Sequence, residues 1–351
     1  MTAIRIALDA MGGDFGPSVV IPAALQMINR YSMLELILVG DETIIRQHLN
    51  ELHATEGLRL AIRHASQQVA MNESLVTALK HKKDSSMRVA IDLVKEGEAQ
   101  ACVSAGNTGA LMATAKFVLK TLPGVDRPAI ITSIPTMSKK PVRVLDLGAN
   151  VDSRPEHLLQ FAIMGTVLTT AVDNISRPTL GLLNIGHEDI KGNELVKQTS
   201  QLLQKNAAVN YIGYVEADEV FKGEIDVVVC DGFVGNVALK ASEGTARLMG
   251  HVLKEAFQQN WLTRIAGLCA MPVLKMLRKQ MDPARYNGAS LLGLQGIVVK
   301  SHGNTSVWGF SHAIEEAILE VKKNVPSRIG GEVSKLLSKS ETLLDSEIPP
   351  L

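Results

Sequence analysis

The chain has 351 residues, enough to bury a large core as one α/β unit or as two lobes. Hydrophobic residues make up 46% and charged residues 21%, an ordinary folded composition, and Lys plus Arg (36) balances Asp plus Glu (36). No global field therefore draws the protein to nucleic acid, and the three scattered cysteines (Cys102, Cys230, Cys269) give neither a disulfide framework nor zinc-ligand spacing.

Met1 leads directly into the apolar stretch Ile4 to Leu8, with no signal-peptide layout. No uncharged apolar run of about 18 residues occurs, so a soluble cytoplasmic protein is expected. From there one pattern recurs: a short apolar run, a Gly/Asn/Asp loop, then a longer run with helical spacing. The first copy is Ile4 to Leu8, the loop Asp9 to Asp14, and a helix opened by Pro17. The second is Ala101 to Ser104, the loop Ala105 to Gly109, and a helical run from Ala110 to Leu122. The third is Val142 to Leu147, then Gly148 to Asn150, then a helix capped by Asp152 or Ser153 with Pro155 near its start. The fourth runs from Leu180 to Ile185 into Gly186-His187-Glu188, and the fifth from Ile225 to Val229 into Cys230 to Phe233. The last is Gly296 to Lys300, then Ser301 to Asn304, then a helix to about Lys323.

Strands alternating with helices predict a mostly parallel sheet covered on both faces, a three-layer α/β/α unit spanning residues 1–325 in one or two lobes. Ligands bind outside the carboxyl ends of such strands, so the polar loops are expected to converge on one edge. Residues 251–281 break the alternation: they are helical in pattern, apolar and basic (Lys254, Arg264, Lys275, Arg278, Lys279), with Pro272 expected to split them into two helices. They suit a dimer or core contact, or a membrane interface. Residues 326–351 read as a peripheral tail.

The loop Ser104 to Gly109 suits an anion, because small residues let amides approach it and the following helix adds partial positive charge. A tight capped turn needs the same residues. It is not a P-loop, and no Gly-x-Gly-x-x-Gly follows the first strand, so no dinucleotide fingerprint is present and no cofactor is expected. In Asn184 to Asn193, Lys191 stands where a zinc-protease helix needs a second His, which removes the metal reading; Lys191 with Asn193 suits phosphate, and a solvated lysine is the plainer alternative. Asp231 to Asn236 opens a helix carrying Lys240 and Glu243, and its Asp or Asn caps it in any case. Arg127 beside Pro128 and His302 beside Gly303 complete the candidates.

Together these loops resemble the bacterial phosphate acyltransferase family of phospholipid synthesis. The matching pieces are Leu8 to Asp14, Ser85 to Met87, Ser104 to Ala110, Arg127 to Ala129, Leu145 to Asn150, and Leu183 to Gly186 with Lys191 to Asn193. They continue with Asp231 to Phe233, Gly235-Asn236, Tyr286 to Gly293 and Ser301 to Gly303. The resemblance implies a fold related to isocitrate dehydrogenase and phosphotransacetylase. It also implies acyl transfer from acyl carrier protein to inorganic phosphate, a homodimer, and peripheral contact with the inner face of the cell membrane. A membrane glycerol-3-phosphate acyltransferase would then take the acyl phosphate.

The expected chemistry is positioning of phosphate against a thioester. Lys191, Lys240 and Arg127 are candidates to hold phosphate, with Asn193 and Asn236 beside them. The Gly106-Asn107-Thr108 amides are candidates for the oxyanion, and His187 or His302 for protonating the departing thiolate. Lys80 to Lys83 is a candidate landing surface for the acidic carrier protein. The rivals are a dehydrogenase of the isocitrate or isopropylmalate type and a non-catalytic, membrane-associated phosphate-binding scaffold.

Overall fold

The computed structural model describes residues 3–138, 140–281 and 286–346, with the backbone alone at 277–281 and 336–346. The described strands form one sheet, and its middle decides where the site lies. Five parallel strands make the first half, in the order β3 (Leu60–His64), β2 (Leu34–Gly40), β1 (Ile4–Asp9), β4 (Ala101–Ser104) and β11 (Ile297–Lys300). Next comes β10 (Ala289–Leu292), antiparallel to both β11 and β5 (Ala129–Ile134). β5 in turn pairs antiparallel with β6 (Val142–Leu145). The second half continues parallel to β6 through β9 (Val227–Val229), β7 (Thr179–Leu183) and β8 (Asn210–Val215).

Three antiparallel steps reverse the second half relative to the first. The loops after β1, β4 and β11 therefore leave one long edge of the sheet, and those after β6, β7 and β9 leave the other. The expected convergence of every polar loop on one edge does not hold, because it assumed a single strand direction.

Side chains alternate across each strand and supply both faces. On β1, Ile6 and Leu8 join Val103 and Val299 under α1 (Pro17–Arg30) and α11 (Val307–Lys323), which contribute Ile21, Met27 and Phe310. Ala7, with Cys102 and Val298, faces α4 (Ser86–Lys95) and α5 (Thr108–Leu119) through Met87, Ile91 and Leu111. In the second half, α6 (Pro155–Asp173) lays Phe161, Met164 and Leu168 on Leu145, Leu182 and Val229. The three-layer α/β/α arrangement stands. Arg143 on β6 ties the halves together: it is 4% exposed and bonds Asp173 at the end of α6 (2.8 Å) and Glu316 on α11 (3.3 Å). A buried guanidinium needs such partners to offset its desolvation.

The remaining helices are α2 (Glu42–Glu51), α3 (Leu75–His81), α7 (Glu194–Gln204), α8 (Gly232–Gln258), α9 (Trp261–Cys269), α10 (Met271–Met281) and α12 (Val325–Ser346). Within 251–281 there is a break near the expected point, at Ala270 between α9 and α10, with Pro272 in the first turn of α10, where proline is tolerated. A second break, not expected, falls at Asn260 between α8 and α9, where its carbonyl side chain caps the Thr263 amide at 3.0 Å while the Thr263 hydroxyl accepts from the Asn260 amide. The supposed tail starts inside the body, since Val325, Ile329 and Val333 recur every four residues and are buried in the core beside α6.

Candidate active site

At the first edge three backbones touch. Gly13 has φ +88°, and a Cβ there would come within 2.9 Å of both Ala105 Cβ and Gly303 O. A Cβ at Gly12 would meet Asp9 Oδ2 at 2.5 Å and the Gly106 amide nitrogen at 2.9 Å. Glycine is required at both positions to let the loops after β1, β4 and β11 meet. The Asp14 amide then donates to Gly303 O (2.8 Å), and the Ser301 amide to Ser104 O (2.9 Å).

Asp9 closes β1 and is buried. Its Oδ2 accepts from the Ser104 hydroxyl at 2.6 Å, and Ser104 Oγ accepts from the Gly106 amide at 3.0 Å. Burial pushes the Asp9 carboxyl up from its ordinary range, against hydrogen bonding from the Ser104 and Ser86 side chains and the backbone of Met11 and Gly12. Asn107 is spent on structure: its Oδ1 caps α5 through the Ala110 amide (2.9 Å), and its Nδ2 donates to Met71 O (2.5 Å). The amides of Thr108 and Gly109, in the first turn of α5, have no acceptor among the described residues. With the Asn107 amide, which has none either, they rather than Gly106 are the donors left at this helix start.

Lys300, at the end of β11, is 8% exposed. Its ammonium donates to Ala105 O (3.4 Å) and to Ser301 O. Burial pulls its pKa down to about 8, with Lys240 pushing the same way and Asp9 and Asp14 opposing. His302 follows on the same loop. Its amide donates to Asn287 Oδ1 (3.0 Å), while Asn287 Nδ2 holds Ser301 Oγ (2.7 Å), Thr305 Oγ1 (3.1 Å) and Gly309 O (2.8 Å). Burial lowers the His302 pKa, so its neutral form is favoured. Helix α8 begins at the second edge and extends about 40 Å at 1.5 Å per residue. It carries Lys240, paired with Glu243 at 3.0 Å, into the field of Lys300 and His302.

Beyond His302 the edge opens into a groove of about 1510 Å³ between α8, α9 and α10. Met249, Val252, Leu253, Phe257 and Leu268 line it, with His302, Asn304 and Ser306 at its polar end. Arg247, Lys254 and Arg264 also border it. Away from the groove, Trp261, Leu262, Ile265 and Val273 lie on exposed surface of α9 and α10.

The second edge holds the other candidates. Buried Asp146 accepts from the amides of Ile130 (3.0 Å), Ala149 (3.1 Å) and Asn150 (2.7 Å) and from Asn150 Nδ2 (2.9 Å), which shapes the loop after β6. Arg127 is engaged with Asp152 at 2.7 Å, and the Ser153 amide with Asp231, so neither Asp152 nor Ser153 caps α6; Arg154 stands at that position. His187 lies 3.0 Å from Glu219 Oε2. Lys191 is exposed, Asn193 caps α7 through the Val196 amide (3.0 Å), and exposed Asn236 packs against Gly148. Among the described residues no three or more His, Cys, Asp or Glu side chains gather as a metal site, and no helix is long and apolar enough to cross a membrane.

The structure thus brings Gly106, Asn107, Thr108 and His302 to the first edge, with Lys240 reaching toward it from α8 one turn beyond Asn236, and places Arg127, His187, Lys191 and Asn193 at the second. Sequence reasoning missed Lys300, Asp9 and Asn287 as site residues. The available signal for Lys300 was a lysine closing the apolar run Ile297-Val298-Val299 just before Ser301-His302-Gly303.

Solved structures with this fold include EutD phosphotransacetylase from Staphylococcus aureus, with TM-score 0.60 at 17% identity over 92% of this chain and 94% of that one. A phosphotransacetylase from Streptococcus pyogenes gives TM-score 0.61 at 17% identity over 91% and 94%. Closer in sequence is a phosphate acyltransferase of Legionella pneumophila (strain Paris), 58% identical over 97% of this chain and 99% of its own length. One of Methylococcus capsulatus (strain Bath) is 57% identical over 95% and 98%. The family model described as fatty acid synthesis protein matches residues 4–328. The chain therefore belongs to the fatty acid synthesis protein family, alongside relatives named phosphate acyltransferase.

Proposed function

We propose that the protein transfers a fatty acyl group from the thioester of acyl carrier protein to inorganic phosphate, releasing acyl phosphate for phospholipid synthesis. The observation that carries this reading is the apolar groove opening at His302 onto the polar loops of the first edge. A long acyl chain fits such a groove, and an acetyl group would leave it empty. Lys240 and the free amides of Thr108 and Gly109 hold the phosphate. The basic run Lys80 to Lys83 ends α3, and its Lys82 donates to Gln68 O (2.9 Å), on the same loop as Met71, whose carbonyl accepts from Asn107, so an acidic carrier docked there would stand toward the loop after β4. The exposed apolar residues of α9 and α10, with Arg264 and Lys275 among them and Lys254 on α8, suit a second copy of the chain and the inner face of the cell membrane. From there the acyl phosphate passes to a membrane glycerol-3-phosphate acyltransferase.

The test supplies acyl-carrier-protein thioester and inorganic phosphate with metal and nicotinamide omitted. Phosphate-dependent release of carrier thiol together with acyl phosphate is expected. Binding of the carrier without turnover would overturn the reading in favour of a scaffold.

A further inference from the structure

The departing carrier thiolate needs a proton, and neither histidine expected from sequence supplies it well. His187 lies at the second edge, facing Glu219 and Glu216. His302 is near the loops, but burial favours its neutral form, which has no acidic proton to give readily. We propose that Lys300 is the general acid of the reaction, delivering a proton from its ammonium to the thioester sulfur as the carbon–sulfur bond breaks.

Geometry supports this assignment. Lys300 ends a central strand and lies between the loops after β4 and β11, with its ammonium on the carbonyls of Ala105 and Ser301. An ammonium has three protons, and only these two acceptors meet it among the described residues. Ala105 lies three and four residues before the unpartnered amides of Thr108 and Gly109, so the ammonium rests on the loop that leads to that helix start. Among the described residues no carboxylate lies within ion-pair distance of Lys300, although it is buried. The charged groups acting on it are Asp9 at the end of β1, Asp14 on the following loop, and Lys240 on α8; His302 stands on its own loop. Burial and Lys240 bring its pKa to about 8, where an ammonium still holds its proton at neutral pH yet gives it up readily.

The inference rests on the acyl transfer proposed above, and the step balances without another reactant. An oxygen of hydrogen phosphate dianion attacks the thioester carbon, the carbon–oxygen bond forms, and the tetrahedral intermediate collapses with its electron pair leaving on sulfur. Lys300 protonates that sulfur and becomes a neutral amine. The acyl phosphate, still carrying the proton of the original phosphate, returns it to Lys300. The products are acyl phosphate dianion, free carrier thiol and a recharged lysine.

The experiment measures kcat and phosphate KM against pH with acyl-carrier-protein thioester, for wild type, Lys300→Arg and Lys300→Met. Wild-type kcat should fall as pH rises through about 8, because the acid must be protonated. Lys300→Met should lose roughly 100-fold or more in kcat, within the range of a missing general acid, with phosphate KM changed less than about threefold. Lys300→Arg keeps the charge and the carbonyl bonds, yet should show a similar kcat loss and no fall near pH 8, since guanidinium stays protonated there. If Lys300→Arg retains the wild-type fall with pH, or Lys300→Met retains kcat within about threefold, the assignment is overturned. Should Lys300→Met fail to fold, the arginine profile alone decides. A wild-type enzyme that makes no acyl phosphate at any pH removes the underlying reaction, and this inference falls with it.

Discussion

The Ser104 hydroxyl donates to Asp9 Oδ2 at 2.6 Å, with both side chains buried at the ends of adjacent parallel strands. The same oxygen of Ser104 accepts from the Gly106 amide, so one hydroxyl joins the ends of two strands to the turn that starts α5. Ser104→Ala strands a buried carboxylate oxygen and an amide together. It should cost about 1–3 kcal/mol of stability and lower kcat by loosening the loop. Denaturant unfolding beside steady-state kinetics checks both; an unchanged midpoint with unchanged kcat would contradict the role.

Lys240 reaches the first edge on α8, and Lys191 lies exposed at the second. Lys240→Ala should raise the KM for phosphate about tenfold, equivalent to about 1.4 kcal/mol of binding, and Lys191→Ala should raise it less. The reverse order would move the phosphate pocket to the loops after β6, β7 and β9.

Glu320 on α11 is buried, and burial with the nearby charge of Glu316 lifts its pKa to about 8, Arg143 opposing. The folded state then binds a proton that the unfolded chain, with a carboxyl near 4.5, has already released. The stability contributed by this group is present at low pH and is lost as pH rises from about 4.5 to about 8. Glu320→Gln should therefore melt a few degrees above wild type at about pH 8.5, with the gap shrinking toward about pH 5. Thermal melts at the two pH values suffice, and an equal gap at both would refute the assignment.

Met249→Trp adds bulk to the groove wall away from the polar loops. The variant should keep its kcat/KM on short acyl thioesters and lose about tenfold or more on long ones, as expected when a chain can no longer lie in its slot. A chain-length series of carrier thioesters gives the answer, and parallel losses at every length would point to distortion instead.

Much of this arrangement was legible beforehand. Glycine and asparagine between a β-branched run and a helical run marked the loops after β1, β4, β6, β7, β9 and β11, because turns and caps demand those residues wherever they occur. The sheet order was not legible. The strands that reverse direction, β5 and β10, carry ordinary apolar residues such as Ile130 and Leu291, and pairing direction leaves no local mark on them. That is why Lys191 and Lys240 looked like neighbours in function. Lys300 was hidden for a related reason: lysines are mostly solvated, and only the burial of β11 between β4 and β10 makes this one unusual. Asn287 was overlooked because its partners Ser301, Thr305 and Gly309 are brought to it by tertiary packing.

The antiparallel insertion in the middle of the sheet also bears on synthesis. β10 and β11 come from residues 289–300 yet fill the gap between β4 and β5, which are made far earlier. Until that late segment leaves the ribosome, β4 and β5 each have an unpaired edge, and the two halves lack their shared seam. Open edges invite association with other chains, so the nascent protein passes through a long window of vulnerability. A chain ending at residue 288 should aggregate or be cut rapidly by protease where the full-length protein resists, and a protease-resistant monomer would show that the halves close independently.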